Sequence, residues 1–494
     1  MLSKDMLKDI EIIYNSENYH DNLEIEYLSE NTNDIKEKTC FICLKGNKFD
    51  SHDLISSLSI KPILIIASRK IETDIPYVII PDTNKYLPLF ATRFYNNPSY
   101  KLNLIGITGT DGKTTTSLII KQLLEIIKPC AYIGTNGLII NNKQFHNLLT
   151  TPKPIKLNKF LNSVVENKIS YTTIEVSSQG IDLHRIDHLK FKIAIFTNLT
   201  HEHLDYHKTI ENYFLAKLKL FQMLDKTSYA IINLDSPYAK QIINNTNAQV
   251  ITYGKSPDSD FCITNINTSL DVTTFDLITK NEIFKNIKLN LFGDYNVYNT
   301  VSALASINAL GFDLNLFIPR LQNLLEIDGR MHFINYGQPF DVIVDFAHTP
   351  NALESLLSNI KSLITNKIIL VFGAAGERDN TKRPLMGKIA EKYASVIILT
   401  SEDPKSEDTL DIISDIAKGI NNVFKVIVIP NRKKAITKAL NLASIDDVVI
   451  VTGKGNENYE IFNGYIVEHN DITIIEDYLS KKYQFQYTYS IANL

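Results

Sequence analysis

The chain lacks any long apolar run: none of its 494 residues fall in a stretch of the ~18–20 apolar side chains that span a bilayer. Its first residues, MLSKDMLKDIEII, carry charge throughout and lack the apolar core of a secretory signal. Basic excess is missing too. Lys and Arg number 51 against 55 Asp and Glu, a formal net charge of −4. No field for nucleic acid or an acidic membrane is therefore expected. Cysteine is scarce, with four residues at Cys40, Cys43, Cys130 and Cys262. The first two form a C-x-x-C, a spacing that can hold zinc or perform redox chemistry. However, the run CFICL reads as a buried strand, where residues three apart point to opposite faces, and no second pair follows at ligand spacing. All four are read as free, mostly buried thiols. These absences leave a cytoplasmic protein, without membrane insertion, whose partners are small molecules.

A hydrophobic content of 44% and a mean hydropathy of −0.07 fit globular domains with real cores. The length suggests about three such domains. The most informative stretch is residues 102–127, LNLIGITGTDGKTTTSLIIKQLLEII. Residues 102–108 form a short apolar run that reads as a buried strand. Gly109, Thr110, Asp111 and Gly112 make a tight turn, then Lys113, Thr114 and Thr115 open a segment with apolar residues at helical spacing. Strand, glycine turn, Lys-Thr and helix together make a phosphate cradle. Loop amides and the helix N-terminus supply positive potential, Lys113 a full charge, and a Thr hydroxyl a ligand for Mg²⁺. The general P-loop pattern wants glycine at 107, where Ile107 stands.

Residues 1–100 read as a small α/β domain with a polar loop at 45–52, KGNKFDSH. Residues 101–332 form a central domain around the phosphate loop, with a mostly parallel sheet. Its strand YTTIEVSS ends in Glu175, Ser177 and Ser178, at the edge where α/β proteins place ligands. A second strand runs into FTNLTHEHLDYH, which carries His203. A helix near 211–223 holds both Lys217 and Lys219, and the local sequence does not choose between them. Residues 333–494 alternate apolar strands with helices, a Rossmann-like doubly wound sheet.

The loop GTDGKTT resembles that of the Mur ligase family, and the resemblance extends through TTP, EVSS, NLT-x-x-HLDYH, DFAHTP, TKRPLM and GKG-x-E. It implies an ATP-dependent amide ligase, acting through an acyl phosphate with Mg²⁺, that adds a third amino acid to UDP-N-acetylmuramoyl-L-alanyl-D-glutamate as a monomer. The matching residues imply metal ligands at Thr114, Glu175, His203 and Lys217, the last as a carbamate. The nucleotide would meet residues 109–115, with Asn296 at adenine, Arg330 at the phosphates and Asp345 near ribose. The UDP-sugar-peptide would meet Thr150, Thr151, Ser177 and Arg185, and more weakly Thr32, since Asn31-Thr32-Asn33 replaces the family's Asp-Ser-Arg. Arg383 would hold the incoming α-carboxylate, with Gly453 and Glu457 nearby. The acceptor would be chosen by Glu402, Asp403, Pro404 and Lys405, where the diaminopimelate branch has Asp-Asn-Pro-Arg. An added negative charge at Asp403 and a lysine in place of a bidentate arginine predict L-lysine over meso-diaminopimelate. Two alternatives stand beside this: a related ligase of non-wall peptides, and a non-catalytic nucleotide-binding subunit. The intact Lys113, Glu175, His203 and Lys217 argue against the latter.

Overall fold

The computed structural model describes residues 1–491 except 47, 48, 142, 146, 148, 270 and 271. Parts of two expected substrate loops, 45–52 and 148–152, therefore lie outside the described residues. Among the described residues, three sheets of five, eleven and six strands organise the chain, with a separate two-stranded hairpin.

In the first domain the sheet order is Tyr14–Asn15, Tyr77–Ile79, Leu64–Ala67, Thr39–Ile42, Tyr27–Ser29, parallel except at its first pair. Cys40 packs into one hydrophobic cluster of this domain and Cys43 into the other. The C-x-x-C thus straddles the sheet, and no disulfide or metal pair can form from it without rebuilding the strand.

The central sheet has a parallel middle built from strands dense in Ile, with Ala, Thr and Tyr, buried on both faces as parallel strands usually are. The phosphate-loop strand Asn103–Thr108 lies between Tyr171–Glu175 and Ile193–Phe196, in parallel register with both. Their C-terminal ends, at Glu175, Thr108 and Phe196, therefore stand side by side. Antiparallel wings close the sheet at each edge.

The third sheet runs His332–Phe333, Asp341–Asp345, Val448–Thr452, Ile368–Phe372, Val396–Leu399, Val426–Val428, parallel except at the first strand. Helices Pro350–Leu363, Lys382–Tyr393 and Thr409–Ala417 cover one face, and Arg432–Leu442 and Asp471–Ile491 the other. This is the doubly wound order, and its crevice opens at the strand C-termini. His332 pairs with Val344, so by pairing it already belongs to this sheet.

Candidate active site

The phosphate loop is held by its neighbours before any ligand arrives. Asp111 N donates to Asn198 Oδ1 at 2.9 Å, and Thr200 N donates to Thr110 Oγ1 at 2.9 Å. Gly112 ends the loop at φ 83°, a left-handed backbone that disfavours a side chain. A Cβ there would also lie 2.4 Å from Asn299 Oδ1. Helix Lys113–Leu124 follows and aims its free N–H groups at the loop.

Lys113 Nζ donates to the carbonyls of Gly109 (3.0 Å) and Thr110 (2.7 Å). Burial lowers its pKa, against the pull of Glu175 and Asp111. Thr114 Oγ1 donates to Glu175 Oε2 at 2.9 Å. The same carboxylate accepts from the Tyr132 hydroxyl, from Thr135 N at 3.1 Å and from Thr135 Oγ1 at 3.1 Å. Tyr132 and Thr135 were not evident as site residues in the sequence, because nothing local pairs them with Glu175.

His203 sits just past the neighbouring strand at φ 58°, with Nδ1 buried and without a hydrogen-bond partner. Burial, then the charges of Lys217 and Lys113, push its pKa well below the ordinary histidine value. A neutral imidazole with an unused nitrogen is the metal-ligating form. Lys217 lies on helix Ile210–Gln222, 1% exposed, its Nζ 2.7 Å from Gly109 O and 4.4 Å from the Tyr213 ring centroid. Burial and Lys113 hold its pKa well below the ordinary lysine value. Lys219 is half-exposed and pairs with Asp182 at 3.0 Å. Tertiary structure thus separates the two lysines.

These donors fit Mg²⁺. They offer a hydroxyl, a carboxylate and an unpartnered neutral histidine, while no group of three His, Cys, Asp or Glu forms a closed cage among the described residues. Mg²⁺ keeps several waters and takes few protein ligands, so an open set suits it.

Two cavities meet at the loop. One, of about 470 Å³, is lined by Asn296, Asn299, Tyr298, Asp235, Asp345 and Arg330 among others. Asn296 lines it but has both amide ends engaged, Nδ2 donating to Phe292 O at 2.8 Å and Oδ1 accepting from Asn299 at 3.1 Å. Asp345 accepts from Met331 N at 2.8 Å and Ala347 N at 2.7 Å, and burial raises its pKa. Arg330 lies 4.3 Å over the Phe346 ring and 3.4 Å from Thr114 Oγ1.

The other cavity, about 720 Å³, gathers the phosphate loop, Thr150, Glu175, Ser177, Arg185, His203 and Lys217 from the central domain. Across it stand Arg378, Lys382, Glu402, Asp403, Lys405, Gly453 and Glu457 from the third. A buried pair, Lys382 to Glu202 at 3.0 Å, ties the two domains beside His203.

Four expected site residues line neither cavity: Thr32, Thr151, Pro404 and Arg383. Thr151 is internal support, donating to Glu175 O at 2.8 Å while its carbonyl accepts from Arg185 at 2.9 Å. Pro404 packs its carbonyl against Gly376, and Thr32 sits in a 3₁₀ turn of the first domain. Arg383 is 2% exposed, beside Glu407 at 2.8 Å and Asp415 at 3.1 Å, with its Nε buried and without a hydrogen-bond partner. Arg378 is the arginine of this turn that lines the cavity.

Asp403 also differs from its expected setting. Its Oδ1 accepts from Lys454 at 2.8 Å and from Ile461 N at 3.0 Å. Lys405 is not its partner, and burial, then Arg378, lower the Lys405 pKa. Glu402 has Oε2 buried without a partner, and burial pushes its carboxyl up to about 7.

Residues 107–307 match the Mur ligase middle domain, and residues 329–455 match the Mur ligase glutamate ligase domain. A UDP-N-acetylmuramoyl-L-alanyl-D-glutamate–2,6-diaminopimelate ligase of Clostridium acetobutylicum is 36% identical over 93% of this chain and 96% of its own length. The chain belongs to the Mur ligase family. The corresponding enzyme of Bacillus cereus is 38% identical over 91% of this chain and 93% of its own length. A solved ligase of the same description superposes at TM-score 0.68, with 28% identity over 98% of this chain and 99% of that one. An ADP complex of a Thermotoga maritima MurF ligase shares the fold at TM-score 0.68 and 18% identity, covering 94% of this chain and 99% of that one. As a Mur ligase the chain is an ATP-dependent enzyme that forms amide bonds.

Proposed function

We propose that this Mur ligase adds a diamino acid to UDP-N-acetylmuramoyl-L-alanyl-D-glutamate in peptidoglycan precursor synthesis, as a cytoplasmic monomer. We further propose that the acceptor is meso-diaminopimelate. One observation carries this choice. Arg378 and Lys405 face the acceptor side of the cavity, and neither has an ion-pair partner within 4 Å among the described residues. Two cations without a direct ion pair suit an acceptor with two carboxylates, and L-lysine has one. The sequence argument for L-lysine needed Asp403 as a free anion in the pocket, whereas it is paired with Lys454, which Glu457 also binds at 2.6 Å. The Clostridium and Bacillus relatives, named for 2,6-diaminopimelate, lend further support.

In this reading Lys113, the loop amides and Arg330 cradle the ATP phosphates and position the γ-phosphoryl group against the substrate carboxylate. The carboxylate oxygen attacks phosphorus and ADP leaves. The acceptor amine then attacks the acyl carbon, phosphate departs and the ammonium proton is lost. Ser177 and Arg185 hold the sugar-peptide on the central-domain side. Thr114, Glu175 and His203 would hold Mg²⁺, which neutralises phosphate charge when bound. Lys217 is proposed to carry a carbamate. Burial lowers its pKa, which favours the neutral amine, the form that adds CO₂ with release of a proton, and the product is an oxygen ligand.

The test is phosphate release by purified enzyme with ATP, UDP-dipeptide and a panel of amino acids. Turnover with meso-diaminopimelate at a higher kcat/KM than with L-lysine is expected. Preference for L-lysine would overturn the acceptor assignment, and no turnover with any amino acid would overturn the ligase reaction itself.

A further inference from the structure

Behind the acceptor side of the cavity lies a charge network that the reaction above does not use. Arg432 opens helix Arg432–Leu442 and is 1% exposed. Its guanidinium grips Asp471 with two bonds, Nε to Oδ1 at 2.9 Å and Nη2 to Oδ2 at 2.7 Å. It also donates to two backbone carbonyls, Ser401 O at 3.1 Å and Thr452 O at 2.7 Å. These carbonyls lie at the C-terminal ends of strands Val396–Leu399 and Val448–Thr452, immediately before Glu402 and Gly453, which line the cavity.

The network continues on the other side. Ser401 Oγ donates to Glu460 Oε1 at 2.8 Å. His469 lies between Glu460 Oε2 (3.5 Å) and Asp471 Oδ1 (2.7 Å). Glu460 is flanked by Tyr459 and Ile461, which also line the cavity. One guanidinium and two carboxylates therefore hold three separate stretches of wall. The carboxyl of Glu402 stands so close to Gly453 that a Cβ there would lie 2.1 Å from Oε2. A small shift of either strand end would move the unpartnered oxygen.

A purely stabilising role explains this poorly. Burying a charged group requires desolvating it, and packed apolar side chains stabilise a core as well or better. The planar fork is the feature with no apolar substitute, since it fixes several acceptors at once.

We propose that Arg432, together with Asp471 and Glu460, is a positioning residue for the ligation reaction: it sets the strand-end backbone at Ser401 and Thr452, and so aims Glu402 into the acceptor cavity. This rests on the reading of that cavity as the acceptor site.

Two variants test it, Arg432→Lys and Glu460→Gln. Lysine keeps the charge and loses the fork. Glutamine keeps the shape and the acceptor for Ser401 while losing the charge. For each, KM is measured separately for the acceptor amino acid, ATP and UDP-dipeptide, with Tm as a control. The acceptor is whichever diamino acid the wild type ligates, so a wrong acceptor shows in the wild type and a wrong positioning role in the variants. Arg432→Lys is expected to raise the acceptor KM by about tenfold and leave the ATP KM within about twofold. Glu460→Gln should move the same way by less, and it decides alone if Arg432→Lys does not fold. An unchanged acceptor KM in folded Glu460→Gln, or a parallel rise for all three substrates, overturns the proposal.

Discussion

Replacing Lys405 by Met keeps an unbranched side chain, one atom shorter, and removes its charge. Lys405 faces the acceptor cavity, and the adjacent carboxylate, Asp403, is taken by Lys454 at 2.8 Å. A substrate carboxylate about 4 Å from this ammonium gains about 4 kcal/mol at an effective dielectric near 20. Lys405 is only half-buried, so water screens the pair, and stripping hydration from the carboxylate removes more. A net effect of about 1–2 kcal/mol remains, which is about 5- to 30-fold in kcat/KM for meso-diaminopimelate. The assay is phosphate release with ATP and UDP-dipeptide saturating and the acceptor varied. L-Lysine lacks the second carboxylate, so its slower reaction should change by less than about twofold. Raising the ionic strength should shrink the gap between wild type and variant. Lys405→Arg should match or exceed the wild type, since the fork can engage both carboxylate oxygens. If Lys405→Met leaves meso-diaminopimelate turnover unchanged, or slows both acceptors alike, the electrostatic account of acceptor choice is wrong.

Lys113→Ala should abolish ligation while far-UV circular dichroism and Tm stay near wild type; ligation at the wild-type rate would remove the loop from the mechanism. Lys217→Ala should be nearly inactive and partly rescued by short carboxylates, whereas Lys219→Ala, which loses only an exposed ion pair, should be close to normal. Equal loss in both would make the helix merely structural. Lys217 should also leave a stability signature. Its folded pKa is depressed, so the native state binds fewer protons than the unfolded chain between that pKa and the ordinary lysine value, and stability rises with pH across the window. Lys217→Met should therefore raise Tm at neutral pH in enzyme stripped of carbamate while eliminating activity, and an unchanged or lower Tm would contradict a lysine whose burial costs stability.

The phosphate loop was legible because its information is local: a strand, a turn and a helix start within residues 103–124. Glu175 and His203 were legible as strand-end polar residues, since a parallel sheet delivers those ends to one edge. Lys217 carried a signal that the local reading overlooked. Tyr213, Lys217 and Phe221 recur at fourfold spacing, so the lysine lies in the apolar stripe while Lys219 points away. Arg383 and Asp403 were not legible. Their partners Asp415 and Lys454 lie 32 and 51 residues further on, and only folding decides which charge is matched internally and which is left for substrate. The order of the third sheet was beyond reach for the same reason, since Asp341–Asp345 pairs with Val448–Thr452 across most of the domain.

Asp111, Gly112, Thr115, Arg330, Phe346 and His348 line both cavities. In the proposed function, the nucleotide chamber and the peptide chamber thus share a wall rather than a corridor. For a medicinal chemist this turns two modest targets into one. A bisubstrate inhibitor, with adenosine at one end and an acylated amino acid mimic at the other, would need only a short linker over Arg330. Tethering would give its second half a high effective concentration. Resistance by altering the shared wall would also be constrained, because Gly112 cannot accept a side chain against Asn299 and Arg330 serves both chambers.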